Sequence, residues 1–186
     1  MSSACPGSYR LLLAMVILTS CIGCDQATKQ LANQSLKNSP PQSFLAGTIR
    51  LEYAENPGGF LSLGGNLPEH IRPNLFVGCN VCLMLAMCGF LVLRRDISLA
   101  LFVAVLCILA GGIGNLIDRV VNNGLVTDFI NVGVGPLRTG IFNIADIAVT
   151  FGGIAAVMLT QGQASTEQSP AVASESVSHG EPVPPL

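Results

Sequence analysis

Residues 97–119 read ISLALFVAVLCILAGGIGNLIDR, and this stretch decides which solvent the fold is built for. From 97 to 117 it carries no charged side chain, and Asp118 and Arg119 follow at once. A helix needs about 20 apolar residues to cross a hydrocarbon core of about 30 Å, so the segment is expected to span a membrane. Working outward, 74–93 is a second charge-free run, separated from the first by Arg94-Arg95-Asp96. A third covers about 141–160 and is interrupted only by Asp146, and a fourth, 11–24, is long enough only if it continues through Asp25. The expected fold is an all-α membrane protein with four transmembrane helices, over about 11–30, 74–93, 97–117 and 141–160.

Composition agrees with lipid as the solvent. The chain of 186 residues is 50% hydrophobic and 11% charged, where soluble folds carry about 25% charge. Its net charge of −2 offers no basic stripe to neutralise phosphates, which excludes a nucleic-acid partner. Most of the seven cysteines lie inside the spans, where a thiol packs as a small hydrophobe.

Between the first two spans, about 33–73, the stretch Thr48-Ile49-Arg50-Leu51-Glu52-Tyr53 alternates apolar and polar residues with the period of a half-buried strand. A small β-containing subdomain is therefore expected there. Asn56-Pro57-Gly58-Gly59 breaks the strand, and Gly64-Gly65 suggests a second turn. From about 161 to 186 the chain is rich in Ser, Pro, Glu and Gln and reads as a disordered tail. At the other end, Arg10 and an apolar run ending in Leu18-Thr19-Ser20-Cys21 look like a lipoprotein signal peptide. An uncleaved first helix is the preferred reading, because useful polar residues continue on its far side.

Four spans place Asp25, Asp118, Asp128 and Asp146 on one side of the membrane and Asp96 on the other. Basic residues number three on the Arg94 side (Arg10, Arg94, Arg95) and six on the acid side (Lys29, Lys37, Arg50, Arg72, Arg119, Arg138). The positive-inside rule weights dense charge in short loops, so the Arg94-Arg95 pair is taken as cytoplasmic, along with residues 1–10. The acids then lie at the extracytoplasmic face.

Carboxylates beside hydrocarbon are costly, and an acid kept there needs a named partner. Asp25 stands four residues before Lys29, in the order that stabilises a helical acid–base pair. Asn115, Asp118 and Arg119 share one helical face, and a carboxylate beside a guanidinium stays ionised, which suits a supporting role. Asp128 and Asp146 differ: no basic residue lies within four positions of either, and their separation of 18 positions (146 minus 128) lets a loop bring them together. Two carboxylates in a poorly solvated site share one proton. Such a pair can activate water and protonate the leaving group of an amide without a metal or cofactor. His70 and His179 stand alone, with no zinc-ligand spacing around them.

The motifs Asp25-Gln26-Ala27-Thr28-Lys29, Asn56-Pro57-Gly58-Gly59, Gly111-Gly112-Ile113-Gly114-Asn115-Leu116-Ile117-Asp118-Arg119, Val126-Thr127-Asp128-Phe129 and Phe142-Asn143-Ile144-Ala145-Asp146 resemble, in order, those of lipoprotein signal peptidase, or signal peptidase II. The resemblance covers about 11–160. It implies that Asp128 and Asp146 are the catalytic pair, that Asn56, Gly58, Asn115, Asp118, Arg119 and Asn143 line or support the site, and that Asp25 and Lys29 have structural or substrate-facing importance. It further implies a monomeric multi-pass enzyme of the bacterial inner membrane, acting in contact with membrane lipid. Its implied substrates are diacylglyceryl-modified prolipoproteins, and its implied inhibitors are globomycin-like cyclic lipopeptides. In one departure from the family pattern, Phe60 and Leu61 follow Gly59 directly.

Two other classes compete. Cys21-Ile22-Gly23-Cys24 and Cys79-Asn80-Val81-Cys82 could suit a membrane thiol oxidoreductase, although they lie in apolar runs that do not lower a thiol pKa. Asp118 and Asp146 could relay protons in a transporter. Replacing every cysteine with serine should leave cleavage intact in a peptidase assay; loss of activity would favour the oxidoreductase.

Overall fold

The computed structural model describes residues 7–59, 67, 68 and 70–167. Among the described residues, four helices are long and apolar enough to cross a membrane: α1 (Gly7–Leu36), α2 (Arg72–Leu93), α3 (Leu99–Val121) and α4 (Ile144–Glu167). The expected turn at Gly64-Gly65, the Phe60-Leu61 departure and the tail from 168 to 186 lie outside the described residues. Residues 161–167, expected to belong to that tail, instead continue α4. Hydropathy marks where lipid ends, whereas the backbone ladder runs on through residues that tolerate helix.

Helix α3 is the axis of the bundle. Leu101, Phe102, Val105 and Leu106 are buried against Leu13, Ile17 and Leu18 of α1, Met87, Phe90 and Leu91 of α2, and Ala156 and Leu159 of α4. Helix α2 packs only at the edge and buries no residue fully. Ser98 caps α3, accepting a hydrogen bond from the Leu101 amide at 3.2 Å. Just before this cap, the Arg10 guanidinium donates to the carbonyls of Arg95 (3.0 Å) and Ile97 (2.7 Å) and lies over the Phe102 ring. That latch fixes the start of α1 at the α2–α3 turn, opposite the end that holds the acids.

At the acid end sits a four-stranded antiparallel sheet in the order β1-β2-β3-β4: β1 (Gln42–Phe44), β2 (Ile49–Asn56), β3 (Val126–Val134) and β4 (Leu137–Arg138). The strand expected from residues 48–53 is β2. Half of the sheet, however, comes from the α3–α4 connection, where Asp128 and Asn131 hid the strand pattern, because both are poor strand formers. Phe129 packs with Leu51, Tyr53 and Ile130 on Ala32 and Leu36, seating the sheet on the protruding end of α1.

Close approach of α3, α4 and α1 depends on small residues, which let helix backbones meet in lipid. A Cβ on Gly111 would collide with the Ala145 carbonyl oxygen and stand 2.7 Å from Val149 Cγ2, and one on Gly114 would stand 2.5 Å from Asp25 Oδ2. Gly153 has nothing within 4 Å. Gly111→Ala should therefore cost about 1–3 kcal/mol in thermal unfolding of the detergent-solubilised protein, while Gly153→Ala costs nothing.

Candidate active site

The structure gathers the polar residues of all the quoted motifs at one end of the bundle. At its base, Lys29 Nζ lies 2.9 Å from Asp25 Oδ2 and 3.2 Å from Asp118 Oδ2, with all three side chains buried. Gln26 Nε2 donates to Asp118 Oδ1 at 3.1 Å, the Ala145 amide to Asp25 Oδ1 at 2.9 Å, and the Thr127 amide to Asp118 Oδ2 at 2.9 Å. Asp25 and Lys29 form the ion pair that their spacing predicts and are buried among α1, α3 and α4. One expectation is corrected here. The cation beside Asp118 is Lys29 rather than Arg119, because the Arg119 guanidinium turns to the carbonyls of Gly124 (2.9 Å) and Gly58 (2.6 Å) and lies over the Phe76 ring.

Asp128 reaches the site on β3 and Asp146 on the first turn of α4, not a turn further in as the hydropathy boundary implied. Asn143 caps α4 in a reciprocal box: its Oδ1 accepts from the Asp146 amide at 2.9 Å, and Asp146 Oδ2 accepts from the Asn143 amide at 3.3 Å. The Asn-x-x-Asp spacing ahead of an apolar run was the available signal for this cap. Asn143 Nδ2 then donates to Asp128 Oδ1 at 2.7 Å, so one fully buried residue (0% exposed) joins both acids.

The remaining carboxylate oxygens have amide donors too. Asn115 Nδ2 donates to Asp146 Oδ1 at 3.0 Å, and its own Oδ1 accepts from Lys29 Nζ at 2.9 Å. Asn56 Nδ2 donates to Asp128 Oδ2 at 2.9 Å. In the sheet, Asn56 pairs with Val126 and Asp128 with Ala54, which makes Asn56 and Asp128 diagonal neighbours. Beyond the strand end, Asn56 Oδ1 accepts from the Gly58 amide at 2.9 Å, a local turn that aims its amide group inward. Gly58, held in turn by Arg119, ties this turn to α3.

Asp128 is 2% exposed, whereas Asp146 is half-buried. Burial, reinforced by the charge of Asp146, pushes the Asp128 carboxyl up to about 6, against the opposing pull of the Asn56 and Asn143 amides and of Lys29. Asp146 borders two grooves. One, of about 280 Å³ between α2, α3 and α4, is lined by Phe76, Asn80, Met84, Asn115 and Arg119 among others. The other, of about 300 Å³ and nearly all apolar, runs along α4 past Phe142, Ile147 and Phe151. Sequence reasoning missed Phe76 and Asn80. Asn80, a lone amide in an apolar run that donates to the Gly112 carbonyl at 3.1 Å, was the one clue to α2 as a wall of the site.

The competing classes find less support in this geometry. Cys21, Cys24, Cys79 and Cys82 are all free, and Cys24, Cys79 and Cys82 are exposed. Towards the Arg94 end the bundle is filled by the cluster of Ile97, Leu101, Phe102, Val105 and Leu106, which offers protons no polar path. Among the described residues, no three His, Cys, Asp or Glu side chains converge as a metal site would require.

Because native Asp128 holds its proton up to about pH 6 while an unfolded aspartate ionises near 4, the native state binds more protons across that window. Stability should therefore fall as pH rises through it. Asp128→Asn should remove this fall and stabilise the protein above pH 6 by about 1–2 kcal/mol, the gain being reduced by one mispaired amide. Unfolding midpoints in detergent from pH 4 to 8 would check it, and parallel curves for both proteins would count against the raised carboxyl.

The family model described as signal peptidase (SPase) II matches residues 17–161. A lipoprotein signal peptidase of Bifidobacterium adolescentis is 32% identical over 155 residues, covering 81% of this chain and 76% of that protein. One of Caldicellulosiruptor bescii is 34% identical over 137 residues, covering 74% and 83%. A bacterial membrane enzyme solved in meso at 2.3 Å resolution shares the fold, with a TM-score of 0.74 at 24% identity over 86% of this chain and 94% of that one. With most of its length matched in sequence and its fold matched in space, the chain belongs to the signal peptidase II family.

Proposed function

We propose that this membrane peptidase is an aspartic endopeptidase that removes the signal peptide of bacterial prolipoproteins just before the diacylglyceryl-modified cysteine, with Asp128 and Asp146 as its catalytic pair. The observation that carries the assignment is Asn143, which hydrogen-bonds to one carboxylate through its side chain and to the other through its backbone. The ionised acid of the pair takes a proton from water as the water attacks the scissile carbonyl. The protonated one donates to the carbonyl oxygen, giving a tetrahedral diol; as the C–N bond breaks, the first acid passes the proton taken from water to the leaving amine, and the second recovers its proton from a diol hydroxyl. Neutral amides from Asn56, Asn115 and Asn143 hold the carboxylates in place without pinning either in the charged form, as a paired cation would.

The apolar grooves beside Asp146 suit a substrate that arrives within the bilayer, carrying an apolar signal peptide and a lipid. Cyclic lipopeptides of the globomycin type fit the same chemistry as inhibitors, and a monomer contains every residue assigned here. The enzyme is placed in the cytoplasmic membrane with the acids at the extracytoplasmic face. Two cations that weighed against that orientation, Lys29 and Arg119, are buried in the site and are not exposed loop charges.

Asp128→Asn and Asp146→Asn should each lower kcat on a diacylated prolipoprotein by about a thousandfold or more while the protein still inserts and folds. For the unaltered enzyme, kcat/KM should fall about tenfold per pH unit above about 6, as the pair loses its shared proton. Cleavage retained by the Asp146→Asn enzyme would end this assignment.

A further inference from the structure

The end of the sheet remote from Asn56 is apolar and uncovered. The β1–β2 turn carries Phe44, Leu45, Ala46 and Gly47, the β3–β4 turn carries Val134, Gly135, Pro136 and Leu137, and neither contains a charged residue. Leu45 is 72% exposed, Val134 75% and Leu137 82%, with Phe44 exposed beside them. The turns are bound into a single tip: the Gly133 amide donates to the Thr48 carbonyl at 2.9 Å, and Arg138 Nη1 donates to the Gly47 carbonyl at 2.9 Å. Leu45 and Ala46 both hold positive φ, at 49° and 54°. In water such a turn favours Asn and Gly, which adopt that backbone most readily. Here it presents a leucine outward instead.

The position of the tip identifies what covers it. From Leu137 the chain returns through Thr139, Gly140 and Phe142, which form one wall of the apolar groove whose other wall is Asp146, Ile147, Thr150 and Phe151 of α4. The return strand thus lies alongside the first two turns of a membrane-spanning helix and not beyond its end. On α4, Phe151, Ile154, Val157 and Met158 are exposed along the same helix and meet lipid. Leu137 stands two residues before Thr139, so the tip leads directly into the groove beside that lipid-facing helix.

We infer that the two turns are an interfacial membrane anchor, in which Phe44, Leu45, Val134 and Leu137 sit in the boundary between headgroups and acyl chains of the leaflet nearest the acids. Apolar side chains bind at that depth through buried area. The four inserting side chains are uncharged and bind zwitterionic lipid through buried area, which salt does not weaken, while the Arg138 guanidinium beneath them is held by the carbonyls of Gly47 and Asn131. The anchor holds β3, and with it Asp128, at a fixed height against the bilayer. It depends on the membrane-spanning fold and not on which residues catalyse.

The chain contains no tryptophan, so Leu137→Trp and, separately, Val134→Trp each introduce a single tryptophan that can be excited where the two tyrosines do not absorb. The full chain would be reconstituted in phosphatidylcholine vesicles with bromine at shallow acyl positions, and Val157→Trp on α4 would serve as the reference inside the membrane. Either tip fluorophore should be quenched about twofold or more by the brominated lipid, be shielded from aqueous iodide, and be unaffected by salt. Quenching by iodide with no response to bromine would overturn the inference. So would bromine quenching or iodide shielding seen only after a diacylated prolipoprotein is added, which marks a substrate contact, or only at high protein-to-lipid ratio, which marks a second copy. If Leu137→Trp does not fold, Val134→Trp reads the same depth.

Discussion

One lysine ammonium, enclosed between two carboxylates at the membrane end of the bundle, is the constraint on which the rest of this structure depends. Lys29 compensates Asp25 and Asp118 only in part, since two negative charges face one positive. The remainder is met by backbone: the Ala145 amide in the first turn of α4 and the Thr127 amide at the start of β3, with Gln26 completing the shell. The positive end of the α4 dipole therefore points at Asp25. Losing one member of a buried charged set leaves the others uncompensated, at a cost of about 3–5 kcal/mol. Because its members stand on α1, α3, α4 and β3, a single charge cluster sets the relative height of four elements.

The same ammonium orients the site one residue further on. Lys29 donates to Asn115 Oδ1, which leaves the Asn115 amide nitrogen free to donate to Asp146. Asn143 fixes its own amide by capping α4 with its oxygen, so that its nitrogen reaches Asp128. The cation is thereby kept one hydrogen bond away from the pair. Positive charge in direct contact with either acid would favour its ionised form and, in the proposed mechanism, remove the proton that amide hydrolysis needs. Unequal exposure separates the partners further, with Asp128 enclosed by the sheet and Asp146 bordering two grooves.

Much of this was written in the linear pattern. The charge-free runs at 74–93 and 97–117 required lipid, the alternation at 48–53 required a strand, and the Asp25–Lys29 spacing required a helical ion pair, because each follows from the period of one element. The motif order pointed to Asn56, Asn115, Asp128, Asn143 and Asp146 before any distance was known. Other features lay between elements. Asp118 was read beside its sequence neighbour Arg119, yet side chains on adjacent helical positions diverge, and its cation came from another helix. Strand β3 was unreadable because Asp128 and Asn131 are poor strand formers until the fold supplies their partners.

What the sequence determined by itself is the solvent, the number of spans and the gathering of four of the five aspartates at one end of them, since hydropathy and helical periodicity act over a few residues and need no distant partner. What only the tertiary structure decided is which donor meets which acceptor: Asn143 between the two acids, Lys29 between Asp25 and Asp118, Arg119 on the turn at Gly58. Several of those pairings join distant parts of the chain, Arg119 and Gly58 being 61 positions apart, and others such as Asp25 with the Ala145 amide span 120; burial makes each one obligatory because the polar groups at this end of the bundle have lost water as an alternative.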